Sequence, residues 1–124
     1  MTTAVQYDLE DRLVAFSVHI IEISEKIKKT KAGNILTTQL LKSGTSPALN
    51  YGEVQSSESI NDFIHKMKII LKELRETRIC LRIIKESHLV TNFEKIDSIS
   101  GENRELILIF HKSIDTASKR LKKK

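Results

Sequence analysis

The chain has 124 residues, 40% of them hydrophobic and 30% charged, which suits one domain with a buried core. Four glycines, one proline and 5% aromatic residues are too few for the turns of a β-barrel or sandwich, or for a platform that stacks bases. No apolar run reaches the ~18 residues of a membrane span, and residues 1–6 lack a secretion-signal pattern. Cys80, the single cysteine, cannot form an internal disulfide, so we expect a cytoplasmic protein.

The first predicted helix covers residues 7–30. Its apolar side chains recur at alternating steps of four and three, which places them on one face: Leu9, Leu13, Phe16, Ile20, Ile23 and Ile27. Gly33 and Asn34 follow, and these residue types favour a turn after a helix. We therefore expect the chain to reverse direction there.

The second predicted helix, residues 35–55, keeps the same rhythm but has small or polar residues in the middle. Gly44 lowers helix propensity, and Pro47 lacks the amide hydrogen that would bond to the carbonyl of Ser43. Ser46 is a favourable N-cap for a helix that restarts at Pro47. The sequence predicts a kink or a break near residues 43–47.

The third and fourth predicted helices cover residues 59–86 and 102–121. Ser59 followed by Asp62 resembles a capping box at the start of the third. A polar connection, residues 87–102, separates the two helices, and four apolar residues in it are expected to fold back onto the bundle: Leu89, Val90, Phe93 and Ile96. Short connections make neighbouring helices antiparallel, so the prediction is an all-α, up-down-up-down four-helix bundle with residues 1–124 as a single domain.

Two helices carry more apolar residues than one buried stripe needs. The additional residues lie away from the main seams and form a predicted oligomer interface: Val14, Val18 and Ile21 on the first helix, and Ile69, Ile79, Cys80 and Ile83 on the third. Scattered exposed apolar residues on a monomer are the simpler alternative. We expect self-association, because one bundle core cannot bury both sets.

Basic residues concentrate in the second half of the chain, which has fifteen lysines and arginines in residues 63–124 against six in residues 1–62. Two groups are predicted to contact phosphates: a band on the third helix (Lys68, Lys72, Arg75, Arg78, Arg82 and Lys85) and a C-terminal tail within residues 119–124 (Lys119, Arg120, Lys122, Lys123 and Lys124). A solvated face balanced by acidic neighbours, and a solubilising chain end, are the respective alternatives.

The remaining polar residues favour structural roles. Asn50 and Thr77 lie at seam positions and, with Glu53, are predicted to form a buried polar network with the facing helix. The four histidines show no metal-ligand spacing, and no phosphate-binding glycine loop is present. We therefore expect no catalytic residues, no metal, no cofactor and no small-molecule substrate.

Three segments are similar to one known family: residues 43–53 (SGTSPALNYGE), 62–69 (DFIHKMKI) and 72–77 (KELRET). They resemble the bacterial four-helix-bundle proteins encoded in intervening sequences of large-subunit (23S) ribosomal RNA genes. The resemblance implies a homopentamer that associates with nucleic acid and has no assigned catalysis. Accessory proteins of diversity-generating retroelements are more distantly similar, and imply a pentamer that engages nucleic acid and a reverse transcriptase. Val54 and Cys80 depart from the family pattern, which usually has a small residue and an aromatic there.

These observations together predict a non-enzymatic homo-oligomer that associates with RNA or DNA through a basic surface. The alternative is a protein-interaction scaffold whose charge only keeps it in solution.

Overall fold

Four α-helices make up the computed structural model, which describes the backbone of residues 2–123 and the side chains of residues 9–123. The helices are α1 (Thr2–Ser24), α2 (Lys31–Val54), α3 (Ile60–Glu86) and α4 (Phe93–Lys122). Residues 2–123 contain no strand, so the predicted all-α four-helix bundle is confirmed. Within this range α1 and α3 each pack against α2 and α4 but not against each other, which places them at opposite corners of an up-down-up-down bundle.

Helix α4 begins nine residues earlier than the sequence predicted, at Phe93 instead of residue 102. The Asn92 side chain caps it by accepting from the Lys95 amide at 3.0 Å. Ile96 and Ile99, which the prediction placed in a polar connection, are buried and continue the apolar face of α4. The connection between α3 and α4 is therefore only residues 87–92. Residues 93–101 are helical because burial of one apolar residue per turn is enough to keep an otherwise polar segment helical.

The α1–α2 connection also differs from the prediction. Helix α1 ends at Ser24, not near residue 30, and α2 begins after Thr30, whose side-chain oxygen accepts from the Gly33 amide at 3.0 Å. The predicted turn at Gly33 is therefore wrong, because Gly33 lies in the first turn of α2. A Cβ at Gly33 would lie 1.8 Å from the carbonyl oxygen of Lys28, so only glycine fits there. The Lys28 amide donates to the Leu89 carbonyl at 2.8 Å and joins the two connections at this end of the bundle.

Helix α2 runs without interruption through Pro47, so the predicted break with a restart at Ser46 is wrong. Packing outweighs local propensity here, because Ser43, Gly44 and Pro47 are all buried between the neighbouring helices. A Cβ at Gly44 would lie 2.8 Å from two side-chain atoms of Ile20. Gly44 therefore permits the close approach of α2 to α1 instead of ending the helix.

The start of α3 follows the predicted capping pattern with one change. The Ser59 side chain accepts from the Asp62 amide at 3.0 Å, while the Asp62 carboxylate accepts from the amide of Glu58 at 3.1 Å and not from that of Ser59. That backbone bond, together with the ion pair to Lys66, lowers the pKa of Asp62. The shorter aspartate side chain thus still satisfies a free amide at the helix start.

Candidate nucleic-acid interface and oligomer faces

Two polar contacts lie inside the bundle core. Thr77 of α3 is fully buried, and its hydroxyl lies 3.0 Å from the Ser43 hydroxyl of α2 and 2.9 Å from the carbonyl oxygen of Glu73. Asn103 of α4 is also fully buried and donates to the Leu74 carbonyl of α3 at 3.1 Å. Each contact joins α3 to a different neighbour, so both contribute to the register of the central helix.

The predicted polar network included Asn50 and Glu53, and the structure places both elsewhere. Asn50 is half-buried and donates to Ser46 of its own helix at 2.8 Å, not to α3. Glu53 is exposed. Asn103, which sequence reasoning missed, takes the buried position instead, because α4 starts early enough to make residue 103 part of its inner face.

The basic band of α3 divides into two surfaces. On the side facing α4, arginines from both helices line an open groove, which we call the arginine groove: Arg75, Arg78, Arg82 and Arg104. Arg104 was not predicted, since the sequence placed it in the first turn of a shorter α4. The sequence carried no signal for its place beside α3, because α3 and α4 are brought together only by the fold.

Acidic neighbours neutralise only part of this side of the bundle. Arg82 pairs with Glu86 at 2.7 Å, and Lys85 pairs with Asp97 at 2.7 Å while its ammonium lies 5.4 Å from the Phe93 ring centre. Among residues 9–123, Arg75, Arg78 and Arg104 form no ion pair. These three guanidinium groups therefore present uncompensated positive charge, with donors arranged for bidentate contact to phosphate.

Two other predicted groups lie apart from the arginine groove. Lys68 and Lys72 border a second groove, on the outer side of α3. The tail residues Lys119, Arg120, Lys122 and Lys123 are at the opposite end of α4, about 22 Å or more from Arg104 at the helical rise of 1.5 Å per residue. Lys124 lies outside the described residues. The structure thus separates the predicted basic residues into three places instead of one continuous surface.

Exposed apolar residues occupy the outer sides of α1 and α3. We call Val14, Val18 and Ile21 the α1 face, and Ile69, Ile79 and Ile83 the α3 face; their side chains are 39% to 50% exposed. The α3 face adjoins the outer groove, about 1090 Å³ in volume and lined also by Leu36 and Ile114.

Cys80 does not belong to the exposed set, although it contributes to the floor of the outer groove. The side chain is buried, and its sulfur lies 3.7 Å from the carbonyl oxygen of Leu36. Burial raises the pKa of the Cys80 thiol to about 11. The helix turns Cys80 towards α2, one step away from its exposed neighbour Ile79.

Residues 9–123 contain no group of three or more His, Cys, Asp or Glu placed to hold a metal ion. None of the four helices, over the residues described, has the length and apolarity needed to cross a membrane. His19 makes a surface contact to Glu22 at 3.2 Å, and Glu22 also pairs with Lys95. Hydrogen bonds from these two side chains lower the pKa of Glu22, with the Lys95 bond the larger cause.

The comparison with known proteins agrees with the fold. The family model described as 23S rRNA-intervening sequence protein matches residues 7–112. The chain belongs to this family. A crystal structure of a protein with unknown function from the S23 ribosomal protein family of Bacteroides thetaiotaomicron is similar to this intervening-sequence family member, with a TM-score of 0.79 and 27% identity. The match covers 89% of this chain and 97% of that chain. No curated protein matches this chain.

For this member of the intervening-sequence family, the match covers all four helices of the bundle except residues 2–6 of α1 and the last turns of α4. Arg75, Arg78, Arg82 and Arg104 all lie within the matched segment, whereas the basic tail from Lys119 onwards lies beyond it.

Proposed function

We propose that this protein is a non-enzymatic homo-oligomer, and that it associates with RNA or DNA through the arginine groove. The observation that carries the proposal is the placement of Arg75, Arg78 and Arg104, from two helices, on one surface without acidic partners among the described residues. Guanidinium groups bind phosphate oxygens in a fixed fork geometry, and the two rings that line the groove, His88 and Phe93, are stacked on each other with their centroids 5.8 Å apart. Binding is therefore expected to depend on phosphates and to show little base preference.

Two further observations support this proposal. The family description refers to a ribosomal RNA intervening sequence, which makes RNA the first polymer to test. Exposed apolar residues on both the α1 face and the α3 face favour self-association, and an oligomer would repeat the groove once per copy. Repetition strengthens weak phosphate contacts through multivalency. The same proposal includes a pentamer, which the resemblance implies. It also includes a cytoplasmic location, where the protein would meet an RNA partner.

The non-enzymatic part rests on the chemistry of the candidate groups. The one cysteine has a thiol pKa raised to about 11 by burial, so its nucleophilic thiolate is scarce. Thr77 is fully buried, and its partner Ser43, which lines the outer groove, is only 4% exposed. A nuclease assay with added divalent metal tests this part directly, and cleavage of RNA or DNA would contradict it.

Titration of labelled single-stranded RNA and DNA of equal length at two salt concentrations tests the binding. The double variant Arg78→Gln with Arg104→Gln removes two groove cations, and Lys31→Gln with Lys42→Gln removes the same charge from exposed positions on α2. We expect the groove variant to bind more weakly and to lower the salt slope by about 1.4, since each phosphate contact contributes ~0.7 on single strands.

The outcomes of this titration separate the two hypotheses. The control variant should keep nearly all of the wild-type affinity. Absence of binding by the wild-type protein at low salt would overturn the nucleic-acid role and favour the protein-interaction scaffold. Equal losses in both double variants would assign binding to net charge and not to the groove.

A further inference from the structure

The α1 face and the α3 face have opposite electrostatic surroundings. Residues 10–25, which surround the α1 face, hold four acidic residues and one arginine: Glu10, Asp11, Glu22, Glu25 and Arg12. The four acidic side chains are exposed, whereas Arg12 turns towards α4 and pairs with Glu102 at 2.7 Å. Glu22 pairs with Lys95, so the negative charge that borders the apolar stripe of α1 comes from Glu10, Asp11 and Glu25.

Positive charge borders the α3 face. Ile79 and Ile83 lie in the outer groove, whose exposed rim includes Lys68, Lys72 and Arg75. Two acidic residues also line this groove, Glu76 and Asp115, and Asp115 pairs with Lys119 at 3.2 Å. At about 1090 Å³ the groove is larger than most small-molecule pockets, which occupy ~300–1,000 Å³, and its open form suits an elongated partner such as a helix.

We infer that these two faces are partners, so that the α1 face of one copy of this chain docks into the outer groove on the α3 face of the next copy. Val14, Val18 and Ile21 are spaced four and three residues apart, as the anchors of a helix lying in a groove are. Burial of these side chains against Ile79 and Ile83 removes apolar surface from water on both copies. The acidic border of α1 then meets the basic rim of α3, and either face paired with itself brings like charges together.

The positions of the two faces set the symmetry of the assembly. Because α1 and α3 occupy opposite corners of the bundle, the docked surfaces are different patches on opposite sides of each copy. Such a contact is heterologous, and repetition closes into a ring or continues as a filament. The inference rests on the proposed self-association, and it adds that the α1 face of each copy contacts the α3 face of the next.

This pairing leaves most of the arginine groove open. Arg78, Arg82 and Arg104 lie on the side of α3 that faces α4, whereas Ile83 and Leu36 border the groove towards α2. Arg75 and Ile79 border both grooves. Docking of α1 against Ile79 therefore covers part of the arginine groove, while the part beside Lys85 and Phe93, which shares no residue with the outer groove, remains available for phosphate contacts.

Three substitutions of an exposed apolar residue by lysine test the pairing. Val18→Lys alters the α1 face, Ile79→Lys alters the α3 face, and Leu49→Lys is a matched control on the outer side of α2, where the side chain is 77% exposed. Light scattering gives the mass of each variant over a range of concentrations, and circular dichroism checks that each is folded. Val14→Lys and Ile83→Lys replace either variant that fails to fold.

The wild type and Leu49→Lys should have equal masses, several times 14.2 kDa, while Val18→Lys and Ile79→Lys should each fall to 14.2 kDa. A mixture of these last two retains one intact face of each kind. It should give a species of twice 14.2 kDa and nothing larger, because the single productive contact joins the intact α1 face of one variant to the intact α3 face of the other.

The results that would contradict the pairing can be told apart from one another. A wild-type monomer would overturn the proposed self-association and the pairing with it. An oligomeric wild type whose two face variants keep their mass would overturn the pairing alone. Two variants that each remain dimers on their own would show that each face meets its own kind, and two monomeric variants that do not combine on mixing would show that the two intact faces do not bind each other; either result overturns the pairing.

Discussion

Replacement of Asn103 by leucine is expected to stabilise the bundle. Asn103 is fully buried, and within residues 9–123 its side-chain oxygen is the one buried side-chain polar atom that has no hydrogen-bond partner. A buried acceptor without a donor costs ~1–3 kcal/mol, while the bond that its amide group donates to the Leu74 carbonyl contributes ~1 kcal/mol. The Leu74 carbonyl keeps its own helical hydrogen bond after the substitution.

The balance predicts that Asn103→Leu raises the free energy of unfolding by about 1 kcal/mol, because leucine is of similar size and adds apolar contact in the core. For a chain of this length the midpoint of thermal unfolding should rise by roughly 4 °C. Urea unfolding followed by circular dichroism at one fixed protein concentration measures the change, since self-association alters apparent stability.

The matched variant is Asn103→Ala, which also removes the unpaired oxygen but leaves a cavity. It should be less stable than Asn103→Leu by ~2 kcal/mol or more. If Asn103→Leu instead lowers the free energy of unfolding by more than 1 kcal/mol, the Asn103 oxygen has a donor in the folded protein. The reasoning from an unsatisfied acceptor would then be refuted.

Two further predictions concern α2 and α3. Gly44→Ala should destabilise the protein by ~1–3 kcal/mol, because the added Cβ would lie 2.8 Å from the buried Ile20 side chain. The control Gly52→Ala adds a Cβ that meets nothing within 4 Å, and it should stabilise the protein by ~0.5–1 kcal/mol. Urea unfolding of both variants checks this, and equal effects would count against the close approach of α1 and α2. Cys80 should resist alkylation by iodoacetamide at pH 8, where a pKa of about 11 leaves about one thiol in a thousand as thiolate, and should react faster as the pH rises towards that value. Rapid modification of the native protein at pH 8, followed by mass spectrometry, would show that Cys80 is accessible.

The fold was predictable because the apolar rhythm persists along most of the chain. Steps of three and four mark the buried face of every helix, and three of the four helices end where the sequence contains short polar connections. The errors lie where local propensity and packing disagree. Pro47 and Gly44 oppose a helix locally, yet both are buried within α2, and the polar residues around Asp97 concealed the first turns of α4.

The candidate surfaces were predictable only in part. Spacing on α3 alone indicated a basic band, but it could not show that Arg104 of α4 completes the groove, because that contact joins residues distant in sequence. For the same reason, Cys80 was assigned to an exposed set that its contact with Leu36 excludes. A helical wheel gives the direction of a side chain but not which directions the neighbouring helices cover.

The path of the chain has a practical consequence for experiments with fusion proteins. Residues 2 and 123 lie at the same end of the bundle as the α2–α3 connection, and the connections joined by Lys28 and Leu89 lie at the other end, close to His88 beside the arginine groove. A fluorescent domain attached to either terminus would therefore leave the arginines accessible. Insertion of the same domain into residues 87–92 would obstruct them.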